Sequence, residues 1–284
     1  MLGKRSLDKN ERKTWIEIDS QALRHNYKLF RNLAGPKVKL WSVVKSNAYG
    51  HGIFVFSKLV SQLGIDGLCV DSPIEGIRLR EAGIKKPLLG LGPTIPSLLG
   101  EASNRDITVT ISNFDALKAL RALKNPPPFH IKIDTGMHRQ GFYPEELPAV
   151  LKKIRYQKSD TRNQLKGIYT HFASAKDINY PTYTEQQFQE FQNAVRLFER
   201  AGYKNLMRHC AATGAVLVNK KYHLDAVRVG IGLYGLYPSK ELEFQNGVSK
   251  IKIGLKPVLS WRTIISEIKN LKVGDYVGYD LAER

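Results

Sequence analysis

A chain of 284 residues with 42% hydrophobic and 25% charged residues is neither disordered nor fibrous, and it is long enough to bury a sizeable core. Two cysteines, Cys69 and Cys210, exclude a disulfide framework and a cysteine-rich zinc module. The net charge of +18, from 44 Lys and Arg against 26 Asp and Glu, invites a nucleic-acid reading, but no RGG run, zinc finger or RRM signature accompanies it. The cations are scattered, and Lys152, Lys153, Arg155 and Lys158 read as one solvated helix face. No dedicated nucleic-acid function is expected; a general polyanion affinity is the electrostatic alternative.

In chain order, the opening MLGKRSLDKNERKTW lacks the apolar stretch of a signal peptide, so the expected compartment is the cytoplasm. No apolar run approaches the ~18 residues of a membrane span. Trp15–Asp19 alternates like a strand. Ser20 can cap a helix carrying Leu23, Tyr27 and Phe30. Eight short apolar, β-branched runs then recur: 39–44, 67–70, 87–91, 106–111, 129–134, 166–171, 205–209 and 226–234. Helical patterns lie between most of them. Phe56, Leu59, Val60 and Leu63 form a stripe that Gly64 stops. Ser72 to Glu75 reads as a capping box with Pro73 at the first helical position. Asn113 caps a helix with Leu117 and Leu120, ended by Asn125 and Pro126–Pro128. Thr182 and Glu185 read as the cap of a helix with Phe188, Phe191, Val195 and Phe198 on one face. Weaker helical patterns lie near 96–103 and 213–218.

Eight strands interleaved with helices predict parallel βαβ units. Their number and spacing favour a closed (β/α)8 TIM-like barrel over a doubly wound open sheet. After Gly247 the period changes to two: Ile251, Ile253 and Leu255, then Ile264, Ile268 and Val273, with a turn at Gly274-Asp275. We read 1–250 as the barrel and 251–284 as the opening strands of an incomplete all-β domain, against which residues 1–19 are expected to pack. A stretch this short does not close such a domain, so the sequence reads as a truncated or divided protein.

Reactive groups of a barrel gather just after strand C-termini. The first strand of the eight runs directly into Lys45. Position alone leaves two readings open: a desolvated, nucleophilic amine, or a lysine that has already reached solvent. Tyr49 and its flanking glycines read equally as a tight turn with a packed aromatic. Arg139 alone reads as a surface ion pair, and strand-end histidines such as His171 and His209 as hydrogen-bonded structural residues. Arg228 is more informative, because it sits inside an otherwise apolar strand and needs an anion or acceptor. Gly230-Ile231-Gly232 offers backbone N–H groups to a phosphate. Together these residues fit pyridoxal phosphate, held by a lysine. Metal catalysis fits less well: His51, His138, His171 and His209 lack ligand spacing and an accompanying acidic cluster.

The segments VVKSNAYGHG (43–52), IKIDTGMHRQGF (131–142), YTHFASA (169–175), RVGIGLYG (228–235) and LKPVLSWRT (255–263) resemble, in the same order, the alanine racemase family of fold-type III pyridoxal phosphate enzymes. The resemblance runs from about Trp15 to the last residue. It implies an (α/β)8 barrel followed by a β domain, and a homodimer whose active sites are each completed by the partner. It implies that Lys45 forms the internal aldimine and acts as one catalytic base. By the same resemblance Tyr279 is the second base, working from the partner chain. The resemblance implies phosphate contacts from Tyr49, Thr213, Gly230 and Ile231. It places His171 on the pyridine ring and Arg228 opposite the ring nitrogen. It gives Arg139 the cofactor's phenolic oxygen and the substrate carboxylate. Lys132 falls where some members carry a carbamylated lysine. The implied reaction is interconversion of L- and D-alanine, with D-alanine going to peptidoglycan. Departures are Ala212-Thr213 in place of Asn-Ser, and Asp280 in place of the glycine after the second base. Alternatives are a racemase of another amino acid, a D-amino-acid aldolase, or a cofactor-binding barrel without turnover.

Overall fold

A computed structural model describes residues 12–155, 164–248 and 254–281. The chain divides into two compact units, Ile18–Val258 and a smaller one formed by Met1–Glu17 with Leu259–Arg284.

The larger unit contains the expected (β/α)8 barrel. Helix α1 (Ser20–Ala34) leads into strand β2 (Lys39–Val43) and helix α2 (Ile53–Ser61). Strand β3 (Gly67–Val70), helix α3 (Pro73–Glu81), strand β4 (Leu88–Gly90) and helix α4 (Leu99–Asn104) come next. Then come β5 (Ile107–Ile111), α5 (Phe114–Ala122), β6 (Phe129–Lys132) and α6 (Leu147–Arg155). The circuit ends with β7 (Leu165–Tyr169), α7 (Thr182–Arg200), β8 (Met207–His209), α8 (Thr213–Val218), β9 (Ala226–Val229) and α9 (Lys240–Val248). The strands pair in parallel in the order β8-β7-β6-β5-β4-β3-β2-β9. The ring closes where Asp225 N donates to Arg208 O (3.1 Å) and Arg228 N to Ala211 O (3.0 Å).

Strands such as Gly67–Val70, Phe129–Lys132 and Ala226–Val229 are buried at every position. That is why they read as continuous apolar runs: one face meets the helices, the other the barrel interior. Leu40, Leu68, Ile107, Val109 and Ile131 join the main core, whereas Trp41, Val43, Cys69, Leu89 and Ala226 form a separate cluster. The barrel interior is unusually polar. His130 stands 5.0 Å from His209 between ring centroids, and Tyr169 stacks on His209 at 4.7 Å. Gly167 makes this possible, since a Cβ there would lie 2.8 Å from the His130 ring and 2.7 Å from Met207 O.

Three helix starts differ from expectation. Asp19, not Ser20, caps α1, its carboxylate accepting from Gln21 N and Ala22 N. Ser72 and Pro73 do open α3, but Ser72 makes no side-chain cap bond; the Glu75 carboxylate is taken by Ser46 N and Asp71 N, both at 2.8 Å. Pro181 precedes α7, and Glu185 accepts from Lys221 Nζ and Tyr222 OH instead of closing a box. At Glu75 and Glu185 a tertiary partner displaces the local one. Asn113 caps α5 as expected, accepting from Ala116 N.

Strands β1 (Thr14–Ile18), all but its last residue in the smaller unit, and β10 (Leu259–Thr263) form a two-stranded sheet. Thr14 Oγ1 donates to Arg262 O (3.0 Å) and accepts from Trp261 Nε1 (2.8 Å). The period-two stretch 264–273 is not a strand. Ile264, Ile268 and Val273 are exposed, and alternation alone does not make a strand without a neighbour to pair with. The turn at Gly274 is present, with φ +96. Ile251, Ile253, Lys158, the opening residues up to Glu11 and the division at 250/251 lie outside the described residues.

Candidate active site

The C-terminal ends of the barrel strands surround a cavity of about 560 Å³. Lys45, Tyr49, Arg139, His171, Thr213, Arg228, Gly230 and Ile231 all line it, as does Lys132. Strand ends mark these residues in the sequence, and the fold brings them together. Tyr279 is not among them. It belongs to the smaller unit, where it is 97% exposed.

Lys45 follows β2 and enters an irregular turn. Ser46, Asn47, Ala48 and Tyr49 all have φ between +50° and +54°, a left-handed run that costs roughly 1–2 kcal/mol per residue. Several bonds hold it: Ser46 N to Glu75, Ala48 N to Val44 O, and Ile53 N to Asn47 Oδ1. Ala48 is fully buried beneath. The run turns the Tyr49 ring edge-on to Tyr234 at 5.2 Å. A Cβ at Gly230 would lie only 3.1 Å from the Tyr49 hydroxyl, so glycine there lets the phenol approach the β9 backbone. Burial, then Cys69 and Asp71, pushes the Tyr49 phenol up, keeping it protonated and a donor.

The loop after β6 is folded around one carboxylate. Asp134 accepts from Gly136, Met137, His138 and Arg139 N–H at 2.8–3.0 Å. Burial pushes its carboxyl up, but these four donors outweigh that and hold it below its usual range. The loop thereby sets Arg139 at the cavity. Lys132, on β6, donates to Gln140 Oε1 (3.1 Å) and lies over the Tyr169 ring. Burial first, then Arg139 and Arg228, lowers its amine to about 8.

Arg228 is 3% exposed. Its guanidinium donates to His209 Nδ1 (2.6 Å), His209 O (3.1 Å), Thr170 O (2.8 Å), Cys210 O (3.2 Å) and His171 Nδ1 (3.3 Å). None of these acceptors is a carboxylate. A guanidinium only donates, so the two Nδ1 atoms must be unprotonated and the Nε2 atoms carry the protons. His209 Nε2 then donates to His130 Nδ1 at 2.8 Å. Burial, reinforced by Arg228, lowers His130 and His171 to about 3 and His209 well below the usual range. All three imidazoles are neutral at physiological pH, so His171 is an accepting group here and not an acid. Sequence reasoning did not single out His130 or Tyr169; a polar residue inside a buried strand was the available signal.

These histidines have a measurable consequence. Their folded pKa values lie below the unfolded value near 6.5. Folding therefore excludes protons, and stability is lost as pH falls from about 6.5 toward about 3, by up to about 1.4 kcal/mol per pH unit for each imidazole. A thermal-midpoint series should fall through this window. His209→Gln keeps both hydrogen bonds and should flatten the slope; equal slopes in the two proteins would contradict the neutral assignment.

Thr213 Oγ1 accepts from Gly230 N (3.1 Å) and Gly232 N (3.4 Å). Gly230 N–H is thus engaged within the fold, whereas the Ile231 N–H has no partner among the described residues. The Thr213 hydroxyl proton remains available to an anion.

Comparison with known proteins finds relatives along most of the chain. The family model described as alanine racemase, N-terminal domain, matches residues 18–238. The chain belongs to the alanine racemase family. It is 36% identical over 269 residues to the alanine racemase of Desulforamulus reducens, covering 93% of this chain and 70% of that protein. It is 38% identical over 271 residues to that of Listeria monocytogenes, covering 94% and 70%. The crystal structure of alanine racemase from Bacillus anthracis with bound L-Ala-P superposes with a TM-score of 0.86 at 30% identity, covering 96% of this chain and 69% of that one. Racemases of this family are isomerases, and the chain spans about 70% of the length of the relatives it matches.

Proposed function

We propose that this chain is a pyridoxal-phosphate-dependent racemase that interconverts L- and D-alanine by a two-base mechanism, in the cytoplasm, supplying D-alanine for peptidoglycan. The observation that carries the reading is the cavity itself: a strand-end lysine, three further cations and a phenol converge on it, and its deepest cation, Arg228, has only neutral partners.

The residues present fit the cofactor. Lys45 would hold it covalently. Tyr49 OH, Thr213 Oγ–H and Ile231 N–H would hold its phosphate, with Gly230 leaving the space. His171 would lie on the ring, Arg228 face the ring nitrogen, and Arg139 hold the phenolic oxygen and the substrate carboxylate. Bound there, the group supplies an electron sink for the charge left on the α-carbon. Arg228 cannot give up its proton, so it keeps the facing nitrogen unprotonated and the sink weak. That suits fast return of a proton and discourages side reactions. No described helix is long and apolar enough to cross a membrane.

Lys45 moves the proton on one face of the substrate. Tyr279 of the partner subunit moves it on the other, so the functional unit is a homodimer. Lys132, lowered to about 8, holds a share of free amine at neutral pH, the form that carbon dioxide carbamylates; the product would be an anion facing Arg139.

Reduction by borohydride after addition of pyridoxal phosphate, followed by peptide mapping, tests the assignment. Label on the peptide bearing Lys45 is expected; label elsewhere, or none, contradicts it. Tyr279→Phe tests the second base. It should slow proton abstraction from one enantiomer by about a hundredfold or more, and from the other much less. Equal losses in both initial isotope-exchange rates would remove the two-base assignment.

A further inference from the structure

We propose that Asp71 is a substrate-binding residue that receives the α-ammonium group of the incoming amino acid; this rests on the racemase reading of the same site.

The placement follows from the sheet. Strands β2 and β3 pair in parallel with Trp41 opposite Gly67, Ser42 opposite Leu68 and Val43 opposite Cys69. Two residues further along the same register stand Lys45 and Asp71. Lys45 Nζ lies 3.4 Å from Asp71 Oδ1. The backbone on both sides is fixed by a single carboxylate, Glu75, which accepts from Ser46 N and from Asp71 N. On the other flank Gly92 N donates to Asp71 O at 2.7 Å. A Cβ at Gly92 would come 2.7 Å from Asp71 O and 3.2 Å from Asp71 Oδ2, so glycine here lets the two backbones pack closely beside the carboxylate.

The charges around the cavity then have a clear division. Lys45, Lys132, Arg139 and Arg228 are cations, and among the described lining residues Asp71 is the single carboxylate. Its side chain is 52% exposed, so it is open to a guest. Three of the cations suit the anionic parts of cofactor and substrate. An amino acid arrives as a zwitterion and needs one anionic contact as well. When the Lys45 amine is joined to the cofactor, Asp71 loses the ammonium it now faces. Its carboxylate is left beside the atom that the substrate nitrogen must reach. An ammonium held there is oriented for exchange with the lysine, while Arg139 holds the other end. Discrimination then falls on the amine: a carboxylic acid of the same shape without a nitrogen gains nothing from Asp71.

The test uses chain loaded with pyridoxal phosphate and left unreduced, with binding read by rapid mixing before turnover. Cofactor uptake is measured first by absorbance. Stopped-flow absorbance of the cofactor then gives the affinity for L-alanine, and for propionate as a competitor, in the wild type, Asp71→Asn and Asp71→Glu. Asp71→Asn is expected to weaken alanine about fivefold or more and to leave propionate and cofactor uptake unchanged; Asp71→Glu restores part of the loss. Equal alanine affinity in wild type and Asp71→Asn, or equal weakening of alanine and propionate, overturns the assignment of Asp71 while the racemase reading stands. Failure of the wild-type chain to take up the cofactor overturns both.

Discussion

Replacing Lys45 by alanine is expected to abolish covalent uptake of pyridoxal phosphate and to lower racemisation by at least about a thousandfold. Two functions disappear together: the amine that anchors the cofactor, and the base on one face of the substrate. The fold should tolerate the change. Lys45 is a partly exposed side chain at a strand end, and its partner among the described residues, Asp71 at 3.4 Å, is itself half in solvent. An exposed pair of this kind contributes about 1 kcal/mol or less, and the left-handed turn behind it is held by backbone bonds and by Asn47. The checks are the visible spectrum after cofactor addition, the thermal midpoint, and turnover. Loss of the spectrum with an unchanged midpoint is the expected result. A retained, borohydride-reducible spectrum in Lys45→Ala would place the anchor on another lysine.

Arg228→Glu should be nearly as damaging, for a different reason. The guanidinium donates to five acceptors, three of them carbonyls and two imidazole nitrogens. An ionised carboxylate donates to none. It sets an acceptor against acceptors in a site that is almost fully buried, which is among the costly kinds of substitution. The midpoint at pH 8 should fall by about 10 °C. Turnover should fall by about a hundredfold or more, because a carboxylate would also keep the facing ring nitrogen protonated. The acid response should weaken as well. Burial still lowers His209 and His171, but the second cause, Arg228, is gone, so mild acid should destabilise this variant less than the parent. Arg228→Lys keeps a positive charge but reaches fewer acceptors, and should lose less on every measure. A glutamate variant with parental midpoint and turnover would show that the Arg228 network carries no weight.

The barrel was legible in the sequence because parallel strands are buried on both faces, so β2 through β9 each appear as an apolar run bounded by turn residues. The same feature exposed Lys45, His171 and Arg228, which interrupt or directly follow such runs. Helix starts were less legible. Ser20, the Ser72–Glu75 box and the Thr182–Glu185 pair all have suitable local chemistry, yet a cap forms only if no better partner arrives. Asp19, one position earlier than Ser20, takes the two free N–H groups of α1, and Glu75 and Glu185 are claimed by Ser46, Asp71, Lys221 and Tyr222. The period-two stretch 264–273 failed as a strand for a related reason, since alternation specifies a face but not a neighbour. Asp71 escaped notice because its significance lies in the register between β2 and β3, which the sequence of either strand does not contain. His130 and Tyr169 escaped because strand polarity alone does not tell inside from outside. Gly230 lines the cavity with Ile231, but its N–H is engaged by Thr213, and the available donor is that of Ile231.

The most direct measurement of the central claim is to incubate the chain, loaded with pyridoxal phosphate, with L-alanine in deuterium oxide, and to follow the α-proton by NMR and the enantiomers by chiral chromatography. The expected result is loss of the α-proton signal together with the appearance of D-alanine, and neither in Lys45→Ala. A folded, demonstrably loaded chain that leaves the α-proton of L-alanine in place would contradict it.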